Sequence, residues 1–333
     1  MPEFKRILIV QTAFIGDVIL VTPLIRETKR LFPEAELDIL VIPETKSILT
    51  NNPHLSNILV FDKKRGKIRS FFTVLSIIKN NNYDLALIPH SSFTTALLIT
   101  LARIKERVGY SRKLRSFLMT RLVTPGKDIH RIERNLSLLH PYGLTDGDWQ
   151  TELYPSEADM QRAGDLTPVT KKPMIAIAPG SVWKTKCWPE EYYTELLKLI
   201  NNRAEFVFIG ARDEEELCNK ILQTSGCKGI ILAGKTSILQ SAAVMSKCCC
   251  IICNDSGALH LANAMKTRVI AFFGPTVQRF GFFPFREGDL VLETELECRP
   301  CGHHGPMKCP LKHHNCMRLI TPDIVFEKIR DLI

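Results

Sequence analysis

Four stretches of this chain hold residue types able to bind an anionic group or move a proton. The first is Cys250–His260, CIICNDSGALH, continued by Phe272–Thr276, FFGPT. An apolar run ends at Asn254-Asp255-Ser256-Gly257, and a helical pattern follows from Ala258 to Met265. Asp255 is expected as the N-cap, leaving the N–H groups of Ser256, Gly257 and Ala258 at the positive end of the helix dipole. Such an end binds phosphate, Gly257 permits close approach, and His260 adds a donor. Capping alone would account for the same residues. In the second stretch, Ile175–Trp188, a strand ends at Ala178-Pro179-Gly180-Ser181 and the loop beyond carries Lys184 and Lys186. Ser181 with two lysines suits a diphosphate, and a solvated surface loop would look alike. The third, Gly210–Glu216, places acidic residues just beyond a strand, where a carboxylate can accept from ribose or sugar hydroxyls. An acidic first turn is also favourable with no ligand. The fourth is Gln11–Asp17, QTAFIGD. Asp17 is either an N-cap, worth ~1 kcal/mol, or a general base reaching an acceptor hydroxyl.

These stretches need elements to hold them. Strands are expected at Ile7–Val10, Leu37–Ile42, Ile58–Phe61, Leu85–Pro89 and Arg107–Gly109. A helix should run from Asp17 to about Leu31, bent or shortened by Pro23. His140–Lys172 is rich in turn residues and marks a boundary. The same grammar restarts beyond it, with strands at Met174–Ala178, Phe206–Gly210, Gly229–Leu232, Cys250–Cys253 and Val269–Phe273. Helices fall at Glu190–Asn201, Asp213–Thr224, Ser237–Met245 and Ala258–Met265, and Thr321 caps a last one, Pro322–Leu332. Alternation of this kind makes an α/β protein with mainly parallel sheets. Two doubly wound, Rossmann-like domains facing each other across a central cleft are expected, over 1–165 and 170–320, with a C-terminal helix at 321–333.

The length of 333 residues fits two cores. No apolar run approaches ~18 residues, so no transmembrane helix is expected. The start, MPEFKRILIVQTA, enters a strand without a signal segment, so a cytoplasmic protein is expected. Residues 1–150 hold 22 Lys/Arg and 14 Asp/Glu, a net +8, whereas 151–333 hold 22 and 21, a net +1. Lys63, Lys64, Arg65, Lys67 and Arg69 form one basic cluster, and Arg103, Lys105, Arg107, Arg112, Lys113 and Arg115 form another. A basic half suits an acidic partner, among them phosphorylated glycolipid, nucleic acid or an anionic membrane. All 11 cysteines lie in the second half, and Cys248, Cys249, Cys250 and Cys253 read as small strand hydrophobes.

Together, I-G-D after the first strand, A-P-G-S-x6-W-P, G-A-x-D-E-E, N-D-S-G-x-x-H-x-A and F-G-P-T, in this order and spacing, resemble the ADP-heptose:lipopolysaccharide heptosyltransferase family, glycosyltransferase family 9, and within it heptosyltransferase II. The resemblance implies the GT-B fold and an inverting transfer of heptose from ADP-heptose to the lipopolysaccharide inner core. The donor would sit on the C-terminal domain and a lipid A–Kdo core acceptor on the N-terminal one. Residue by residue, it puts the base on Asp17, the phosphate contacts on Ser181 and Lys186, the nucleoside carboxylate on Glu214, and the helix-start cluster on Asp255, Ser256, Gly257 and His260. Two departures are Val182, where some relatives carry a second Thr, and the extra cation Lys184. The implied enzyme needs no cofactor for catalysis, binds no nucleic acid, and acts as a monomer with peripheral contact at the anionic inner membrane.

A loop near the C-terminus reads differently. Cys298-x2-Cys301-x7-Cys309-x6-Cys316 begins with zinc-knuckle spacing, and His303, His304, His313 and His314 lie in the same loop. Glu297–Cys316 has little apolar content, so a structural zinc on Cys298, Cys301, Cys309 and Cys316 would explain how it is ordered. Free thiols or two disulfides are the alternatives. With a pI of about 9.0, these residues also allow a nucleic-acid-binding protein with a zinc ribbon, though no stretch interleaves aromatics with basics as a stacking platform would. A transferase using another nucleotide sugar is a further alternative.

Overall fold

The computed structural model describes residues 3–64, 66–90, 92–111 and 116–333, with the backbone but not the side chain of Lys67. Arg65, Arg112, Lys113 and Arg115 of the two basic clusters lie outside the described residues. The chain divides into two compact units, Met1–Tyr154 and Pro155–Ile333.

In the first unit a six-stranded sheet has the order β3-β2-β1-β4-β5-β6. Its strands are β1 (Arg6–Val10), β2 (Glu36–Val41), β3 (Asn57–Val60), β4 (Leu85–Ile88), β5 (Glu106–Tyr110) and β6 (Arg121–Val123). In the second unit the order is β12-β11-β10-β7-β8-β9, from β7 (Met174–Ala178), β8 (Glu205–Phe208), β9 (Gly229–Ile231), β10 (Cys250–Asn254), β11 (Arg268–Phe273) and β12 (Leu290–Glu293). Every pairing is parallel. Counted within its own unit, each sheet has the order 3-2-1-4-5-6, the doubly wound arrangement. The direction of winding reverses between β1 and β4 and between β7 and β10, so the loops leaving those strands diverge and open a crevice at each sheet's carboxyl edge.

The central strands are apolar on both faces because helices cover both. β7 and β10 are buried at every position, and Ile7–Val10 are fully buried. The edge strands β6 and β12 escaped the sequence reading. β6 spans three residues, and β12 is half-buried, so neither shows a continuous apolar run. The helix expected from Asp17 to Leu31 is two, Ile15–Ile19 and Thr22–Leu31. Pro23 lacks an N–H and sits where the second helix begins, needing none. Inside the turn-rich boundary stretch lies one further helix, Glu157–Leu166, opened by a reciprocal cap between Ser156 and Asp159. It packs on the helix Ile238–Met245 of the second unit.

Candidate active site

In the second unit the crevice is built around Asn254, the last residue of β10, whose side chain is wholly buried. Its Nδ2 donates to the carbonyls of Pro179 (2.8 Å) and Gly180 (3.2 Å) at the start of the loop after β7. Its Oδ1 accepts from the Trp188 amide (2.9 Å) at that loop's far end and from the Tyr193 hydroxyl (3.4 Å). One side chain thus clamps both ends of the Pro179–Trp188 loop. Trp188 is itself fixed, stacked on Phe272 at 4.5 Å and donating Nε1–H to the Ile320 carbonyl. Its role is packing.

Clamping the loop sets Lys186, which is buried, while Lys184 remains exposed. Lys186 Nζ lies 2.6 Å from Asp255 Oδ2 and 3.3 Å from the Asp255 carbonyl. Thr276 Oγ1 donates to the same carboxylate oxygen at 2.7 Å. The expectation that Asp255 caps the helix is therefore corrected. The helix runs Gly257–Ala264 with Ser256 in the capping position, and the Ser256 side chain makes no capping bond. Asp255 Oδ2 is turned to Lys186 and Thr276 instead. Ser256, Gly257 and Ala258 are half-buried whereas Asn254, Asp255, Leu259 and His260 are buried. Those first amides therefore end a helix at a place solvent reaches, and an ammonium with three donors, two of them used, stands nearby. His260 is buried, its ring 6.3 Å from that of Phe282.

Ser181 is half-buried on the same loop. Glu214 lies over it through the backbone: an added Cβ at Gly180 would come within 1.8 Å of Glu214 Oε1, and one at Gly210 within 2.6 Å of Oε2. Both glycines are required because the carboxyl group occupies the space a side chain would take. Glu214 Oε2 accepts the Ala211 amide at 2.8 Å. Burial, opposed by that hydrogen bond, pushes the carboxyl above its ordinary value.

The cysteine loop is held in part by an arginine. Among the described residues no three His, Cys, Asp or Glu side chains are grouped so as to hold a metal ion, and all four sulfurs are free thiols. Cys316 belongs to the hydrophobic core, and the Cys301 thiol points to the Cys298 carbonyl. The staple is Arg299, whose side chain is 5% exposed. Its guanidinium donates to the carbonyls of Gly274 and Thr294, to those of Phe273 and Thr276 at 2.8 Å each, and to Glu293 Oε2 at 2.8 Å. Arg299 thereby fixes the Phe272–Thr276 turn that presents Thr276 to Asp255. Farther along, Thr185 Oγ1 donates to the Pro306 carbonyl, and His314 Nε2 lies 2.8 Å from the Thr185 carbonyl. An arginine amid cysteines was the available signal, and the thiol spacing drew the reading away from it.

In the first unit, Asp17 is the third residue of the helix Ile15–Ile19, with Phe14 at the capping position. The cap alternative does not hold. The side chain is 19% exposed, and Oδ1 stands 3.9 Å from Arg131 Nε. Beside it, the loops after β1, β2, β3 and β4 enclose a pocket of about 240 Å³ whose walls include Thr12, Phe14, Glu44, Lys63, Lys64 and His90. Lys63 Nζ donates to Thr12 Oγ1 at 3.0 Å, and that hydroxyl lies 3.2 Å from His90 Nδ1. Thr12 and His90 were not singled out from the sequence; they meet because β1 and β4 are adjacent at the winding reversal.

The model of glycosyltransferase family 9 (heptosyltransferase) matches residues 72–312 of the chain. The chain belongs to that family. It is 27% identical to lipopolysaccharide heptosyltransferase 2 of Salmonella typhimurium, over 98% of each protein. It is 31% identical to lipopolysaccharide heptosyltransferase 3 of Escherichia coli K12, over 78% of this chain and 80% of that protein. Among solved structures, that of E. coli ADP-heptose lps heptosyltransferase II superposes with a TM-score of 0.82 at 24% identity, covering 98% of each chain. The family 9 chain is thus a glycosyltransferase of GT-B fold. Among its described residues no helix is long and apolar enough to cross a membrane.

Proposed function

We propose that this glycosyltransferase moves a heptose, with inversion, from ADP-heptose to the lipopolysaccharide inner core at the cytoplasmic face of the inner membrane, acting as a monomer. The observation that carries the reading is the Lys186–Asp255 pair beside an uncapped helix start at the second unit's winding reversal. It offers positive charge and free N–H groups at a fixed place, as a leaving diphosphate requires. Ser181 on the clamped loop adds a hydroxyl, His260 supports the helix, and Glu214 accepts from the nucleoside ribose. In the first unit Asp17, partly exposed beside a pocket with Lys63 and His90, is the general base. It takes the proton of an acceptor hydroxyl as that oxygen attacks the anomeric carbon, the bond from that carbon to the diphosphate breaks, and ADP departs. The basic first half of the chain suits the carboxylates and phosphates of a lipid A–Kdo acceptor.

Assaying a panel of nucleotide sugars against a Kdo-bearing lipid acceptor tests this. Transfer from ADP-heptose above all others is expected. Preference for another sugar nucleotide would make the chain a related transferase, and absence of transfer from any of them would refute the proposal.

A further inference from the structure

The helices Lys67–Asn80 and Phe93–Leu101 lie side by side on one face of the first sheet, and the turn Ser116–Leu118 packs against the second of them. Their inner side is conventional: Val74, Leu75, Ile78, Leu98 and Ile99 fill a core with the strands. Their outer side is not. Ile68 is 75% exposed, Phe72 61%, Phe93 51% and Phe117 74%. Ile68 and Phe72 are four residues apart and share one helix face. The helix Phe93–Leu101, FTTALLITL, carries no charged residue. Helices apolar all round belong in an interior, yet Phe93 and Leu101 of this one face outward.

The charge around this face is one-sided. Residues 63–127 hold fourteen Lys/Arg and two Asp/Glu, a net +12 in a chain whose total is +9. Both acids are engaged elsewhere: the Asp84 carboxylate accepts the Lys5 and Arg6 amides, and Glu106 binds the Tyr142 hydroxyl and Arg121. Arg69, Lys79, Arg103 and Lys105 are exposed around the apolar residues.

We propose that the outer face of these two helices and the 116–118 turn docks on an anionic lipid bilayer, with Ile68, Phe72, Phe93 and Phe117 entering the headgroup boundary. Exposed apolar side chains on so basic a stretch of chain gain from both apolar burial and attraction to acidic headgroups, a combination that an anionic bilayer supplies. The inference rests on the reading of a lipid-borne acceptor, since docking brings the enzyme to it.

Flotation with vesicles of three parts phosphatidylcholine to one of phosphatidylglycerol tests it, against vesicles of phosphatidylcholine alone. The unmodified protein should bind the anionic vesicles, bind the neutral ones at least about tenfold less, and lose binding with added salt. The triple variant Phe72→Ser, Phe93→Ser, Phe117→Ser should bind anionic vesicles at least about tenfold more weakly. It should keep the same melting temperature and ADP affinity, and the same rate on a deacylated, water-soluble acceptor. Equal binding by the variant, equal binding to both vesicle types, or dimerisation that the triple variant abolishes would each overturn the inference. Transfer to the soluble acceptor without vesicle binding would overturn it alone. Vesicle binding through this face without any sugar transfer would leave it standing and refute the proposed activity instead.

Discussion

The two winding reversals share one topology and hold opposite kinds of site. At β7/β10 the framework is held by buried hydrogen bonds: Asn254 makes four, Asp255 is held by Lys186 and Thr276, and Arg299 holds the turn that carries Thr276. At β1/β4 the charged groups are partly exposed. Asp17 is 3.9 Å from its cation, and Lys63, Thr12 and His90 form a chain around a small open pocket. Identical folding rules thus yield a preformed cradle in one unit and an adjustable one in the other. The difference suits the chemistry proposed for each. A nucleotide diphosphate is a fixed shape, whereas an attacking hydroxyl needs a base with room to receive a proton.

If the second site is preformed by burial, breaking it should harm stability first. Lys186→Met leaves Asp255 as an unpaired buried carboxylate, a change that costs about 3–5 kcal/mol. Denaturant unfolding should show that loss together with weaker ADP binding, and adding Asp255→Asn should restore part of the stability. A Lys186→Met protein as stable as its parent would erase the contrast. If the first site is a loose one, breaking it should harm rate and spare stability. Asp17→Asn is expected to lower kcat about 100-fold or more, with its melting curve and ADP titration unchanged. Earlier melting with an unchanged rate would instead mark Asp17 as structural.

Glu214 gives the smallest and most discriminating effect, because its site opposes its charge. Its carboxyl is raised by burial, so the folded state favours the protonated form, and that contribution is lost as pH rises through the folded value. At pH 7 the ionised group therefore works against folding. Glu214→Gln, which keeps an acceptor for the Ala211 amide, should melt slightly higher at pH 7. The gain should vanish as pH falls toward the ordinary carboxyl range, while affinity for ADP drops. A lower melting temperature at pH 7 would show that hydrogen bonding at Glu214 outweighs its burial.

Part of this contrast is legible in the sequence. Central strands announce themselves because burial on both faces demands apolar runs. Short or half-buried edges such as Arg121–Val123 carry no such demand. At the site, residue types were legible and partners were not. Asp255 read as a cap because local spacing says nothing of Lys186, 69 residues earlier. Arg299 was missed for the same reason. Thiol spacing is a local pattern, whereas Arg299 stabilises the loop through carbonyls of a strand end and turn that the sequence shows no sign of bringing near it.

Those distant ties also set an order in time. The first sheet uses only residues before Tyr154, so a growing chain can complete it long before synthesis ends. The second site cannot close early: Trp188 waits for the Ile320 carbonyl, Thr185 for Pro306 and His314, and the turn at Thr276 for Arg299. A polypeptide interrupted at about residue 295 would emerge with its first unit formed and the Lys186 site of its second unit unmade, so the loss of a short C-terminal piece undoes a site encoded more than a hundred residues upstream.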